Sequence, residues 1–140
     1  MSDHSCIIVV DTDVQALNKR LMEIPDEWGR VSIGKELSSF LMLADITDRS
    51  RNIYIWLEKY LREKAPGPVV CLEIDLLFEP SLKLDPLNIF LRISRHLKLV
   101  IFWHGNYIDG VLSYAQPEHQ HYRFWKNLEG IEIKGAHDAL

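Results

Sequence analysis

The sequence predicts an α/β domain built on a mostly parallel sheet of about five strands, in a three-layer arrangement with helices on both faces. Three observations carry that expectation. Short apolar runs rich in β-branched residues, such as Cys6–Val10, Pro68–Ile74 and Leu97–Trp103, alternate with stretches whose apolar residues recur at helical spacing. The short runs are nearly continuous in apolar residues, interrupted only by Glu73 and Lys98, as strands buried on both faces are. Strand and helix then alternate through 140 residues with no internal repeat and no long linker, which implies crossover connections within one domain, 1–140.

The elements follow in order. Cys6–Val10 reads as a buried strand. Asp13 is placed to cap the next helix, on which Val14, Leu17, Leu21 and Ile24 share a face before Pro25 ends it. Arg30–Ile33 fits a short second strand, and Lys35–Leu43 a second helix. The polar stretch TDRSR then breaks the chain. A third helix carries Ile53, Trp56, Leu57, Tyr60 and Leu61 on one face, and APGP at 65–68 stops it. Pro68–Ile74 is the next buried strand. Asp85-Pro86 combines an N-cap with proline at the first helical position, which starts a helix reaching about His96. Leu97–Trp103 is the strongest strand signal, Gly105 and Gly110 break the chain after it, and Ile131–Ile133 looks like the last strand. Trp56 and Trp103 read as core, Trp28 and Trp125 as partly exposed.

Composition narrows the function classes. Hydrophobic residues make up 47% of the chain, enough for a core. The 16 basic and 20 acidic residues give a net charge of −4, which argues against broad, charge-driven nucleic-acid binding and leaves room for a local basic patch. No apolar run approaches the roughly 18 to 20 residues that span a bilayer. The start, MSDHSC, lacks the basic segment of a secretory signal. The expectation is a cytoplasmic protein with no membrane partner. Cys6 and Cys71 lie in apolar runs and read as small core residues, and no CxxC offers a zinc framework. No metal and no cofactor is expected.

In parallel sheets of this kind, ligands sit beyond the carboxyl ends of the strands. Those ends are Val10-Asp11, Ile74-Asp75 and Trp103-His104. The segments DLLFEPSLKLDPLNIFLRISR (75–95), FWHG (102–105) and LSYAQPEHQHYR (112–123) follow in turn. Together they resemble the BrxF family, small P-loop proteins of type 3 BREX phage-defence systems. That family carries an ELLF-type segment, a DPL helix, an SR pair, a strand ending in W-x-G, and an L-x-Y-A-x-P-x-H-x-x-Y block. Here the block is Leu112, Tyr114, Ala115, Pro117, His119 and Tyr122. The match covers roughly residues 68 to 125. It implies a P-loop NTPase-like domain and, as partners, other BREX proteins: a BrxC-type ATPase, a PglZ-type protein or a PglX-type methyltransferase. DNA within such a complex and a homo-oligomer both stay open.

The departure lies at the first strand–helix junction. A Walker A loop needs G-x-x-x-x-G-K-[ST], so that glycine N–H groups wrap the phosphates and lysine balances their charge. The equivalent positions hold Asp11, Ala16, Leu17 and Asn18. With no glycine, no lysine and two carboxylates, Asp11 and Asp13, the loop would repel a triphosphate. The expected function is therefore an accessory, non-catalytic subunit, a pseudo-NTPase acting through protein contacts. Two alternatives stand beside it. One is an NTPase with an unconventional site using Asp75, Arg95 and His104, where Glu73 and Asp75 close the third strand as a Walker B carboxylate would. Glu73 and Asp75 also fit polar residues that cap loops at the sheet rim. The other is a nucleic-acid-binding module using Lys83, Lys98, Arg123 and the aromatic C-terminal segment.

The remaining polar motifs have bland readings as well. Arg95, with Ser94 and His96, can offset a helix C-terminal dipole, and Lys98 can extend a small basic patch. His104 can be a general base, although no serine, cysteine or orienting carboxylate pairs with it in the sequence. His119-x-His121 puts two histidines on one face if extended, too few ligands for a metal site. His119, Tyr122, Arg123, Trp125 and Lys126 mix aromatic and charged groups as interfaces do. Packing of this C-terminal excursion over the sheet accounts for them equally.

Overall fold

A computed structural model describes residues 6–43, 48–64, 66–114 and 123–138. The leading strand β1 (Cys6–Asp11) lies inside a parallel sheet, which also takes in β2 (Gly29–Ser32), β3 (Val69–Leu72), β4 (Leu99–Ile108) and β7 (Ile131–Gly135). The order across the sheet is β2-β3-β4-β1-β7, every pairing parallel. An antiparallel extension, β5 (Val111–Tyr114) and β6 (Arg123–Trp125), grows from the far end of β4. The predicted five-strand parallel sheet is present, with this extension added.

Helices cover both faces. Helix α1 (Val14–Met22) presses Leu17 against Ile7, Val9, Val100 and Phe102 on one face. On the other, α2 (Ile33–Leu43), α3 (Arg49–Arg62) and α4 (Pro86–Ile93) enclose the larger core. Alternation along β1 divides its side chains: Cys6, Ile8 and Val10 join the larger core, Ile7 and Val9 the smaller. Cys6 and Cys71 are free thiols in the larger core, as their apolar context predicts. Burial pushes the Cys6 thiol up to about 12, against a lowering hydrogen bond with Ser94. Burial, and then the neighbouring Cys6, drives Cys71 above its ordinary value too. Trp56 is half-buried, stacked between Phe40 at 4.8 Å and Tyr60 at 5.4 Å, so it flanks the core.

Among the boundaries that differ from the sequence reading, three bear on the site, and Ile33, read as the end of the second strand, instead opens α2. The third strand ends at Leu72; Glu73 turns left-handed (φ 53), and Ile74–Phe78 forms a 3₁₀ turn that contains Asp75. Helix α4 closes at Ile93, and Ser94 to His96 form turns. Gly105 does not break β4. It pairs with Tyr114, and the strand continues to Ile108. A Cβ at Gly105 would lie 2.0 Å from the Ser113 carbonyl oxygen, so this close strand approach requires glycine. The reversal falls at Asp109-Gly110, both with positive φ (52 and 75), as a tight hairpin between Ile108 and Val111 demands.

Candidate functional site

The connection after β1 runs toward the β2 edge, and the one after its neighbour β4 runs toward the β7 edge. Neighbours whose connections part in this way open a crevice at their carboxyl ends. Asp11 and His104 face each other there in register. Beside them lies a cleft of about 750 Å³, bounded by α1, the start of α2 and the segment after β3. Its floor is apolar, with Leu17, Leu72 and Phe102. Its polar groups are Asn18, Ser38, Glu73, Asp75 and His104.

The junction between β1 and α1 is short, and its polar groups satisfy one another. The Asp11 carboxylate accepts the Asp13 N–H at 2.8 Å, and the Asp13 carboxylate accepts the Gln15 N–H at 2.9 Å. The Leu17 N–H is already in the helix ladder, donating to the Asp13 carbonyl at 3.2 Å. Of the four equivalents of the phosphate-loop positions, Ala16, Leu17 and Asn18 are helical, and only Asp11 precedes the turn. Leu17 is buried in the smaller core, while Asn18 borders the cleft. A phosphate approaching this turn meets carboxylates on N–H groups it would need itself. The cleft lining adds Glu73 and Asp75 and holds no lysine or arginine among the described residues.

Glu73 and Asp75 are tied into the fold. Glu73 accepts the Ser32 hydroxyl, and its carbonyl accepts the Gly34 N–H at 2.9 Å. Asp75 accepts the Tyr114 hydroxyl. Burial first, then that bond and the charge of Asp75, push the Tyr114 phenol well above its ordinary range. His104 is exposed, and its Nε2 sits 2.9 Å from the Thr12 carbonyl. A carbonyl only accepts, so Nε2 carries the proton. Among the described residues, no hydrogen bond joins His104 to a serine, cysteine or carboxylate. His104 therefore activates no nucleophile among the described residues.

The other sequence-derived candidates separate. Asp75 and His104 share the cleft. Arg95 does not: it follows α4, at the opposite end of the sheet, with Lys98 just before β4. Arg123 donates to the Leu84 carbonyl, and the Trp125 indole N–H donates to Asp85 Oδ1 at 3.2 Å. Lys126 is exposed after β6. His119, His121 and Tyr122 lie outside the described residues. Among the described residues, no group of three or more histidine, cysteine or carboxylate side chains could hold a metal. No described helix is long and apolar enough to cross a membrane.

A feature absent from the sequence reading ties these motifs together. Phe78, Trp103, Tyr114 and Trp125 form one aromatic cluster. Phe78 stacks on Tyr114 at 3.8 Å, and Trp103 meets both Tyr114 and Trp125 edge-on at 5.5 and 5.4 Å. Trp103 also donates its indole N–H to the Ser113 carbonyl at 3.0 Å. Residues of 75–95 and 102–105 thus meet Ser113, Tyr114 and Arg123 in packing and hydrogen bonds. Alternate placement of Trp103 and Gly105 on β4, and of Leu112 and Tyr114 on β5, is the sequence signal that points to it. No family model, curated protein or solved structure matches the chain.

Proposed function

We propose that the chain is a non-catalytic, P-loop-like accessory subunit of a BREX-type defence system, acting through contacts with other proteins of that system. The observation that carries the non-catalytic part is the β1–α1 turn. There, Asp11 and Asp13 occupy the N–H groups of residues 13 and 15, and Leu17 packs into the core where a phosphate-binding lysine would stand. The resemblance of residues 68 to 125 to the BrxF family supplies the system. The leading strand inside a parallel sheet, flanked by a cleft at the carboxyl ends, agrees with a P-loop-like scaffold. In this reading the scaffold is kept and its nucleotide chemistry is gone. What remains is a rigid surface for partners in the cytoplasm.

Co-expression tests it. The tagged chain, produced with a BrxC-type ATPase, a PglZ-type protein and a PglX-type protein from one defence cluster, is expected to retain at least one of them through size-exclusion chromatography. Retention of none of the three overturns the assignment.

The unconventional NTPase reading loses support, because Arg95 stands at the far end of the sheet from Asp75 and His104.

A further inference from the structure

The geometry points to a second binding site, away from the cleft, that takes the phosphate backbone of a single-stranded nucleic acid. A groove of about 420 Å³ runs between α3 and α4. Its walls carry three cations, Arg51, Lys83 and Arg92, against one acid, Asp85. In a chain of net charge −4, that local excess is opposite in sign to the whole. None of the three cations has an ion-pair partner among the described residues; the pairs found there join other side chains. The Arg92 guanidinium lies over the Tyr54 ring, 4.3 Å from its centroid, which orients it without neutralising it.

Two further observations suit a nucleic-acid strand. Arg49 and Arg51 occupy the first turn of α3, which has no acid and no side-chain cap. Cations there oppose the helix dipole, so helix stability does not account for them. The groove continues past Asp85 into a second hollow lined by Arg123, Phe124 and Trp125. Arg123 is bonded to a backbone carbonyl and has no ion-pair partner among the described residues, and Phe124 is 54% exposed. Phosphates over a row of cations, with bases stacking on an adjacent exposed ring, is how single strands are held without sequence readout. A duplex hides its base faces and cannot use the ring. An acidic peptide would use the cations alone. This site does not depend on the role proposed for the β1–α1 turn.

Fluorescence anisotropy with labelled oligo(dT) of about 20 nucleotides tests the site. Binding at 50 mM salt is expected, with about a 20-fold loss of affinity by 200 mM if three phosphates are neutralised. The double variant R51E/R92E should abolish it. Lys83→Gly suits the left-handed backbone there (φ 54) and should weaken binding without loss of fold. Phe124→Ala should cost about fivefold or more. Lys19→Glu, on α1 at the opposite face of the sheet, should leave it unchanged. The proposal is overturned by no binding at 50 mM salt, or by binding that survives R51E/R92E. It is equally overturned if duplex binds as tightly, or if polyglutamate competes as well as oligo(dT), which would mark a site for acidic protein.

Discussion

Two junctions at the same end of the sheet hold together by opposite means. Between β1 and α1 the chain turns on local hydrogen bonds, each spanning two residues, made by exposed carboxylates. Where β4 meets the hairpin and the 3₁₀ turn, the links are long-range. Rings and polar groups there join residues 40 or more positions apart, as in the Asp85–Trp125 bond and the Phe78–Trp125 contact. The β1–α1 junction has the position of a ligand site, but its carboxylates occupy the N–H groups a phosphate would need. The aromatic junction has the residue types of a recognition surface and is largely packing. Position in a fold and residue type are thus separate kinds of evidence, and each misleads without the other.

The comparison breaks most sharply at Trp103. Trp103→Ala empties the centre of the aromatic cluster and should cost about 3–5 kcal/mol in denaturant unfolding. A cost under about 1 kcal/mol would mean that the cluster does not anchor the hairpin. Gly105→Ala comes next. Its Cβ would strike the Ser113 carbonyl at 2.0 Å, and the forced shift should cost about 1–3 kcal/mol.

Tyr114→Phe sharpens the contrast through pH. It removes the hydrogen bond to Asp75 and should cost about 1 kcal/mol near neutrality. Tyr114, Cys6 and Cys71 are all raised in the folded state. Their contribution is fully present below their unfolded values and is lost as pH rises above them. Stability should therefore begin to fall above about pH 8.5, where unfolded thiols ionise, and more steeply above about pH 10, where unfolded tyrosine does. The Phe variant should lose the part of the decline above pH 10 that belongs to Tyr114. Asp13→Ala is the smallest of these perturbations. Loss of the cap on α1 should cost about 1 kcal/mol, with the aromatic junction undisturbed. Near-ultraviolet circular dichroism separates the two junctions: it should change in Trp103→Ala and stay constant in Asp13→Ala.

What was legible in the sequence follows the same division. Strand β1, the Asp13 cap, the burial of Leu17 on α1 and the Asp85-Pro86 start of α4 are written in neighbouring residues, and the structure has each of them; Val14, expected on the same face, is 48% exposed, and Ile24 is buried just past the helix end. The Asp109-Gly110 hairpin was equally local. A Tyr-Ile-Asp-Gly-Val-Leu stretch is a two-residue turn between apolar flanks, and reading its glycine as a break missed it. The sheet order, the meeting of Asp75 with Tyr114, and the distance of Arg95 from His104 depend on contacts between remote segments. No periodicity encodes them. The cation groove is of the same kind, since Arg51, Lys83 and Arg92 come together only when α3 packs beside α4.

The central proposal is that the turn after β1 does not receive a phosphate. Isothermal titration calorimetry of the folded protein with Mg²⁺ and ATP, carried to millimolar nucleotide, addresses it most directly. The account predicts no saturable heat and no rise in melting temperature under the same conditions. A saturable isotherm would contradict it. So would a stabilisation approaching the about 2.7 kcal/mol expected at 100 times Kd, if it disappeared when residues 11–18 were altered.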